Sequence, residues 1–347
     1  MLAFTSLRRK SSKTARPILG VSLGAAILMT SVSAGAMPIV AFGDSLSDTG
    51  NVSILTGGTL PPAPYYFEGR FSNGPIWLDQ LGAALDGAVD PVLGDGTNFA
   101  FGGARVTATP LVPSLRAQTN AFLNATSATG ADPNALYVVY GGGNDVRDAI
   151  GSADPIAAIT TAAEQLAGIV GDLADAGAVD IVVPTLANVG RLPEAQQAGA
   201  AVVGLAGLLS TVFNQTLAQG LAGLEASSEV NLIRPDFFGL LETISASPSS
   251  FGLTNVTDAC LPVTPFAIPA DATACSDPDE FLFWDLQHPT TVGHGLFADA
   301  ALDAIRAALD PVTVPEPWPM ALMAPLLLAG IVTRFGRKRR WGFAGTT

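Results

Sequence analysis

Cysteine, histidine and cationic side chains are all scarce in this chain. Its 347 residues hold two cysteines, two histidines and 17 lysines and arginines, against 30 acidic residues. With no C-x-x-C pair, no H-E-x-x-H helix and no glycine-rich phosphate cradle, metal, redox and nucleotide functions have no motif to stand on. No cofactor is expected. The cations are also badly distributed. Arg8, Arg9, Lys10, Lys13 and Arg16 open the chain, and Arg334, Arg337, Lys338, Arg339 and Arg340 nearly close it. Residues 37–333 therefore keep seven arginines against all 30 carboxylates, a formal charge of −23. Such a surface repels phosphate backbones and anionic lipid, which excludes nucleic acid as a partner. Only 14% of residues are charged and 48% are hydrophobic, so a large core is possible and a disordered chain is not expected.

Both ends carry the marks of processing. Residues 1–36 have a basic start, an apolar stretch from Ile18 to about Val32 and the small-residue site Ala34-Gly35-Ala36, the pattern of an export signal. A retained anchor is the alternative, and the export route stays open. At 314–340, Val314-Pro315-Glu316-Pro317 is followed by an uncharged run through Thr333 and then the basic cluster. Seventeen residues make a helix of about 25 Å, short of a ~30 Å hydrocarbon core, and Pro319 and Pro325 weaken it further. The basic end would stay in the cytoplasm, leaving residues 37–313 outside as one domain. This tail resembles the PEP-CTERM sorting signal, which implies processing by export and sorting machinery; a plain carboxyl-terminal anchor is the rival reading.

Cys260 and Cys275 share one Pro-, Asp- and Thr-rich stretch of an exported domain. A disulfide is expected there, contributing about 3 kcal/mol in the chain-entropy model. Zinc spacing is absent and no histidine lies between them.

Apolar, β-branched runs at Pro38–Phe42, Leu136–Tyr140, Val179–Val183 and Val230–Ile233 predict buried parallel strands, with a shorter one around Asn98–Phe101. Between them Ile156, Ile159, Ala163, Leu166, Ile169, Val170 and Leu173 recur at helical spacing, and Ala201–Leu224 gives a second long helix. Pro289 suits the first turn of a final helix to about Leu309. This alternation predicts an α/β fold, a three-layer α/β/α sandwich with a mostly parallel sheet.

Ser45 follows the first predicted strand in Gly43-Asp44-Ser45-Leu46-Ser47-Asp48-Thr49-Gly50-Asn51, at the sheet edge where open α/β folds place their chemistry. A serine hydroxyl needs a base, and the chain offers only His288 or His294. His288 has Asp285 three residues earlier to orient its ring; His294 has no such partner and is read as structural. Two further blocks, Asn98-Phe99-Ala100-Phe101-Gly102-Gly103-Ala104 and Gly141-Gly142-Gly143-Asn144-Asp145, lie between serine and histidine. Together with Gly69-Arg70-Phe71-Ser72-Asn73-Gly74, these blocks resemble the GDSL, or SGNH, hydrolases over about residues 38–309, in the branch of secreted lipases, autotransporter esterases and haemolysin-type phospholipases. The resemblance implies a flavodoxin-like α/β/α fold and an ester hydrolase without metal, with a catalytic triad of Ser45, Asp285 and His288. It further implies that the oxyanion is met by the Ser45 and Gly103 main-chain N–H groups and the Asn144 amide. Counting from Asn98 favours Gly103 over its neighbour Gly102. Asp44, Asp48 and Asp145 are expected to satisfy local backbone donors. The substrate stays open among lipids, small esters and acetylated polysaccharides, as does transfer to an alcohol instead of water, and a non-catalytic envelope or matrix protein is the reading from another class.

Overall fold

Two five-residue runs, Ile39–Gly43 (β1) and Leu136–Tyr140 (β2), are buried along their whole length and pair in parallel, Ile39 beside Leu136 and Gly43 beside Tyr140. Asp180–Val182 (β3) and Asn231–Ile233 (β4) extend the sheet in the order β1-β2-β3-β4, again in parallel. The computed structural model describes residues 37–108, 111–227 and 229–309; the expected export signal and sorting tail, at 1–36 and 314–340, lie outside the described residues.

Nine helices are described: α1 (Asn51–Leu55), α2 (Trp77–Ala84), α3 (Leu115–Ala125), α4 (Gly143–Ala149), α5 (Pro155–Asp175), α6 (Pro193–Ala198), α7 (Ala200–Glu225), α8 (Phe237–Ala246) and α9 (Thr291–Leu309). Alternation along the strands assigns them to two layers. Val40, Phe42, Tyr137 and Val139 face one side, where they pack with Leu115 of α3, Val146 of α4, Leu166 of α5 and Phe213 of α7. Ile39, Ala41, Leu136 and Val138 face the other, against Trp77 of α2, Phe237 of α8 and Phe297 of α9. Each large apolar side chain so buried contributes about 1.5–3 kcal/mol, and a sheet greasy on both faces can exist only inside such a sandwich. The expected three-layer α/β/α architecture is the one observed.

Helix boundaries follow local chemistry. Asp154 accepts the Ala157 N–H at 3.1 Å and Pro155 opens α5, so cap and proline together set the start. Three local expectations need correction. Ile156, placed on the apolar face, is 43% exposed, because it lies in the first turn, before the helix reaches the layer beneath. Pro289 precedes the last helix instead of opening it; Thr290 takes the cap, its hydroxyl accepting the Gly293 N–H at 3.1 Å. Asn98–Phe101 is not a full strand.

That last segment runs beside the outer edge of β1, with Ala41 N–H donating to Thr97 O at 3.2 Å and Phe99 N–H to Ala41 O at 2.7 Å, but it forms only isolated bridges, from Asn98 to Ala41 on one side and to Pro91 on the other. On its far side the main chain of residues 90–92 bonds Asn98 alone, Asn98 N–H donating to Asp90 O at 3.0 Å and Val92 N–H to Asn98 O at 2.8 Å, and a side chain takes over from there. The Asn51 amide donates to both Asn98 O (2.8 Å) and Ala100 O (2.9 Å), closing the edge that another strand would use. Counted as a strand, it would complete the order 2-1-3-4-5 typical of flavodoxin-like sheets, whose switch point lies beside the first strand. A small parallel pair, Asn255–Ala259 (β5) with Phe281–Phe283 (β6), was not expected from the sequence, because the first run is polar and the second is only three residues long.

Candidate active site

Ser45 lies two residues beyond the end of β1 and is 8% exposed. The turn that holds it is built from carboxylates and amides. The Gln118 side chain of α3 clamps Gly43 from both directions, accepting its N–H and donating to its carbonyl, each at 2.9 Å. Asp44 accepts the Leu46 N–H at 3.0 Å, and Asp48 accepts four main-chain N–H groups, those of Gly50, Asn51, Val52 and Gly102. Asp145 accepts the Val106 N–H at 3.1 Å. These three aspartates thus satisfy backbone donors. Burial raises each to about 6, opposed chiefly by those same N–H groups.

His288 reaches Ser45 from the loop between β6 and α9. Its Nε2 lies 2.8 Å from Ser45 Oγ, and its Nδ1 lies 2.8 and 2.9 Å from the two oxygens of Asp285. The three-residue spacing has a local cause: Asp285 Oδ1 also accepts the N–H groups of Gln287 (2.7 Å) and His288 (2.8 Å), folding the loop tightly around the carboxylate. Asp285 is fully buried, and a buried charge needs this many donors. The remaining donor comes from far away in sequence: Tyr66 Oη donates to Asp285 Oδ2 at 2.7 Å. Burial, reinforced by contact with the carboxylate, pushes the phenol well above its ordinary range.

The Gly69–Gly74 block explains itself here. Phe71 packs its ring against His288, centroids 5.3 Å apart. Ser72 Oγ donates to Pro289 O at 2.9 Å, and Asn73 Oδ1 accepts the Thr291 N–H at 2.8 Å, fixing both sides of the histidine loop. The expected disulfide joins Cys260 and Cys275. It sits on the same loop, since Cys260 N–H donates to Phe283 O, Leu261 N–H to Trp284 O and Leu286 N–H to Val263 O.

The expected oxyanion donors are placed as follows. Asn144 stands in the first turn of α4 and lines the cavity at Ser45 together with His288. Its Nδ2 donates to Ala104 O at 3.0 Å, its second amide hydrogen has no partner among the described residues, and its Oδ1 accepts from Arg147 at 3.2 Å. Before it, Gly142 has φ +112° and a Cβ there would meet the Phe213 ring at 2.6 Å, so only glycine fits. Of the two glycines in the other block, the Gly102 N–H is consumed by Asp48, while that of Gly103 has no hydrogen-bond partner among the described residues. Gly103 is not among the residues lining the cavity at Ser45, although it lies one residue from the Asn144 contact at Ala104.

Sequence patterns did not point to Tyr66, Gln118 or the ion pair of Arg147 with Glu194. That pair connects the oxyanion side to the histidine loop, for Gln287 Nε2 donates to Glu194 Oε2 at 2.8 Å and Glu194 N–H to Leu286 O at 3.1 Å. Among the described residues no cluster of histidine, cysteine and carboxylate could hold a metal ion. The arrangement can deprotonate a serine hydroxyl through an imidazole that is oriented and charge-compensated by a carboxylate.

The model of the family described as GDSL-like Lipase/Acylhydrolase matches residues 39–301, most of the chain, and the chain belongs to that family. An uncharacterised protein from the trpE-trpG intergenic region of Pseudomonas putida is 30% identical, the match covering 80% of this chain and 50% of that protein. The phosphatidylcholine-sterol acyltransferase of Aeromonas hydrophila is 28% identical, covering 78% of this chain and 90% of that one. Esterase EstA of Pseudomonas aeruginosa is 31% identical, covering 87% of this chain and 52% of its own length. The chain thus spans about half the length of two of these three relatives.

Proposed function

We propose, from the chain's membership of the GDSL-like lipase/acylhydrolase family, that it is an exported serine ester hydrolase working through an acyl-enzyme. The observation that carries this reading is one imidazole held 2.8 Å from Ser45 Oγ on one side and 2.8 Å from Asp285 on the other. Ser45 attacks the ester carbonyl, His288 Nε2 takes its proton, and Asp285 stabilises the imidazolium that results. The developing oxyanion is met by the Ser45 and Gly103 main-chain N–H groups and the free hydrogen of the Asn144 amide. His288 then returns the proton to the leaving alcohol, and water repeats the sequence to release the acid. Substrates belong to the ester class, whether lipid, small ester or acetylated polysaccharide. The test is a fluorophosphonate probe on the full chain with peptide mass spectrometry. A single adduct on Ser45, together with release of nitrophenol from short-chain nitrophenyl esters, is expected; an adduct elsewhere would overturn the assignment.

Acyl transfer is the second reading, favoured by the Aeromonas relative, which the chain matches over 90% of that protein's length. Adding an alcohol acceptor to the hydrolysis assay separates the two, because a transferase yields the new ester in preference to free acid.

The sequence supports a route as well as a reaction. Cleavage after Ala34-Gly35-Ala36 would release the enzyme outside the inner membrane, and Pro315-Glu316-Pro317 would be read by a sorting peptidase before the basic cluster. Carboxyl-terminal sequencing of the mature protein tests this: retention of Arg337–Arg340 makes the tail a plain anchor.

A further inference from the structure

His294, the chain's other histidine, has no part in the reaction above. It stands in the first turn of α9, 1% exposed, its main-chain N–H bonded to Thr290 O at 2.8 Å. Neither ring nitrogen has a hydrogen-bond partner among the described residues. A buried donor and acceptor left unmatched cost the fold free energy, and such a group calls for a specific explanation. Burial, with a smaller push from His288, holds the ring down to about 3, so it is a neutral imidazole with one donor and one acceptor at any ordinary pH.

His294 lines a cavity of about 40 Å³, several times the ~10–15 Å³ that a single water requires. Trp77, Phe237, Leu241, Leu282 and Phe297 make most of the remaining wall apolar. Five residues, Leu46, Tyr140, Ala187, Leu192 and Gln287, line both this cavity and the one at Ser45. Leu46 directly follows the nucleophile and Gln287 directly precedes His288. The reacting serine therefore has an apolar hollow behind a shared wall, with one neutral imidazole in it.

Resting on the ester-hydrolase reading, we propose that this inner cavity takes the far end of the substrate's acyl group and that His294 is a specificity residue for a hydroxyl carried on that acyl chain. The substrate class is then the esters of hydroxylated carboxylic acids. The apolar wall suits the methylene chain, whereas a plain alkyl end would leave both ring nitrogens unmatched. A hydroxyl can donate to one imidazole nitrogen or accept from the other. A carboxylate in the same place is disfavoured, because a neutral ring cannot offset its charge in so dry a setting. Sites built to bond a substrate hydroxyl discriminate against analogues that lack it, since the site's own polar group is then stranded.

The experiment compares kcat/KM of the full chain, by pH-stat, for ethyl hexanoate, ethyl 3-hydroxyhexanoate and ethyl 6-hydroxyhexanoate. At least one hydroxylated ester should be preferred by about tenfold or more. That ratio should collapse in His294→Leu and survive in part in His294→Gln, which keeps a donor and an acceptor. Equal values for the three esters in the unaltered protein, or a ratio that persists in His294→Leu, would overturn the proposal. Should His294→Leu fail to fold, a crystal structure of the unaltered protein with a hydroxyhexyl phosphonate on Ser45 decides: a hydroxyl bonded to His294 sustains the assignment and one lodged elsewhere ends it. Turnover of none of the esters, with no fluorophosphonate adduct on Ser45, would instead remove the hydrolase reading beneath it.

Discussion

His288 and His294 lie six positions apart, both imidazoles are buried, at 4% and 1% exposure, and their surroundings are opposite. His288 is engaged at both ring nitrogens and His294 at neither. The difference lies in the backbone that carries them. His288 sits in a loop whose free N–H groups can hold a carboxylate, and Asp285 takes two of them while facing the ring. His294 sits in a helix, where main-chain donors are already spent on the preceding turn, as its own bond to Thr290 O shows. Burial alone therefore says little about a histidine's task; what decides is whether its segment has donors left to position a partner.

The comparison breaks most sharply at the proposed triad. His288→Gln should lower ester turnover by about 10⁴-fold or more, with Ser45→Ala equally severe and no longer labelled by fluorophosphonate. Loss of activity in a variant that has also lost its thermal midpoint would point to folding and not to chemistry, so both quantities must be measured. Asn144→Ala should cost about 10²–10³ in kcat with KM little changed, as removal of one oxyanion donor does. An unchanged kcat there would take Asn144 out of the oxyanion site.

Tyr66→Phe sharpens the same contrast from the partner's side. It removes one hydrogen bond to the buried Asp285 and leaves the ring in place. A bond to a charged group is worth about 1.5–3 kcal/mol, and with part of it expressed in the transition state kcat should fall about tenfold. A kcat equal to that of the unaltered protein would mean that His288 and the loop donors hold Asp285 unaided.

How far the sequence announced all this depended on whether a feature is local. The four sheet strands were legible because each coincides with an apolar stretch, fully buried in β1 and β2 and only partly so in β3 and β4, and Leu136–Tyr140 keeps the expected limits. The juxtaposition of Ser45, Asp285 and His288 was legible because each lies in a short block with a chemical rationale of its own, and the disulfide because its two cysteines lie close together in one stretch of sequence. Asn98–Phe101 misled because its outer edge is met by a single main-chain bridge at Pro91 and by the Asn51 amide, so no continuous ladder forms there. Tyr66 escaped since its partner is 219 residues away, and Arg147 since Glu194 lies 47 residues on; neither separation leaves a pattern in a window of sequence. His294 was read as structural from its lack of a neighbouring carboxylate, which said nothing of the cavity that folding places beside it.

The remaining expected effect is on stability and leaves the chemistry aside, and its sign isolates His294. In the unfolded chain this ring titrates near the ordinary 6.5, and in the fold near 3. A base depressed in this way contributes stability that is complete above about 6.5 and is lost as pH falls towards 3, at about 1.4 kcal/mol per pH unit. Asp44, Asp48 and Asp145 act in the opposite sense: raised from 3.8 to about 6, they favour the fold below about 3.8 and lose that contribution as pH rises through 6. Acidification from pH 7 to pH 5 thus pits one histidine against three carboxylates, and the net change in the unaltered protein cannot isolate either. A difference between two proteins can. His294→Leu keeps the carboxylates and drops the ring, so its urea midpoint relative to the unaltered protein should improve steadily between pH 7 and pH 5, by the equivalent of about 2 kcal/mol. A gap that stays constant over that range would mean that the ring titrates alike in both states, and hence that solvent or an acidic group reaches it in the fold.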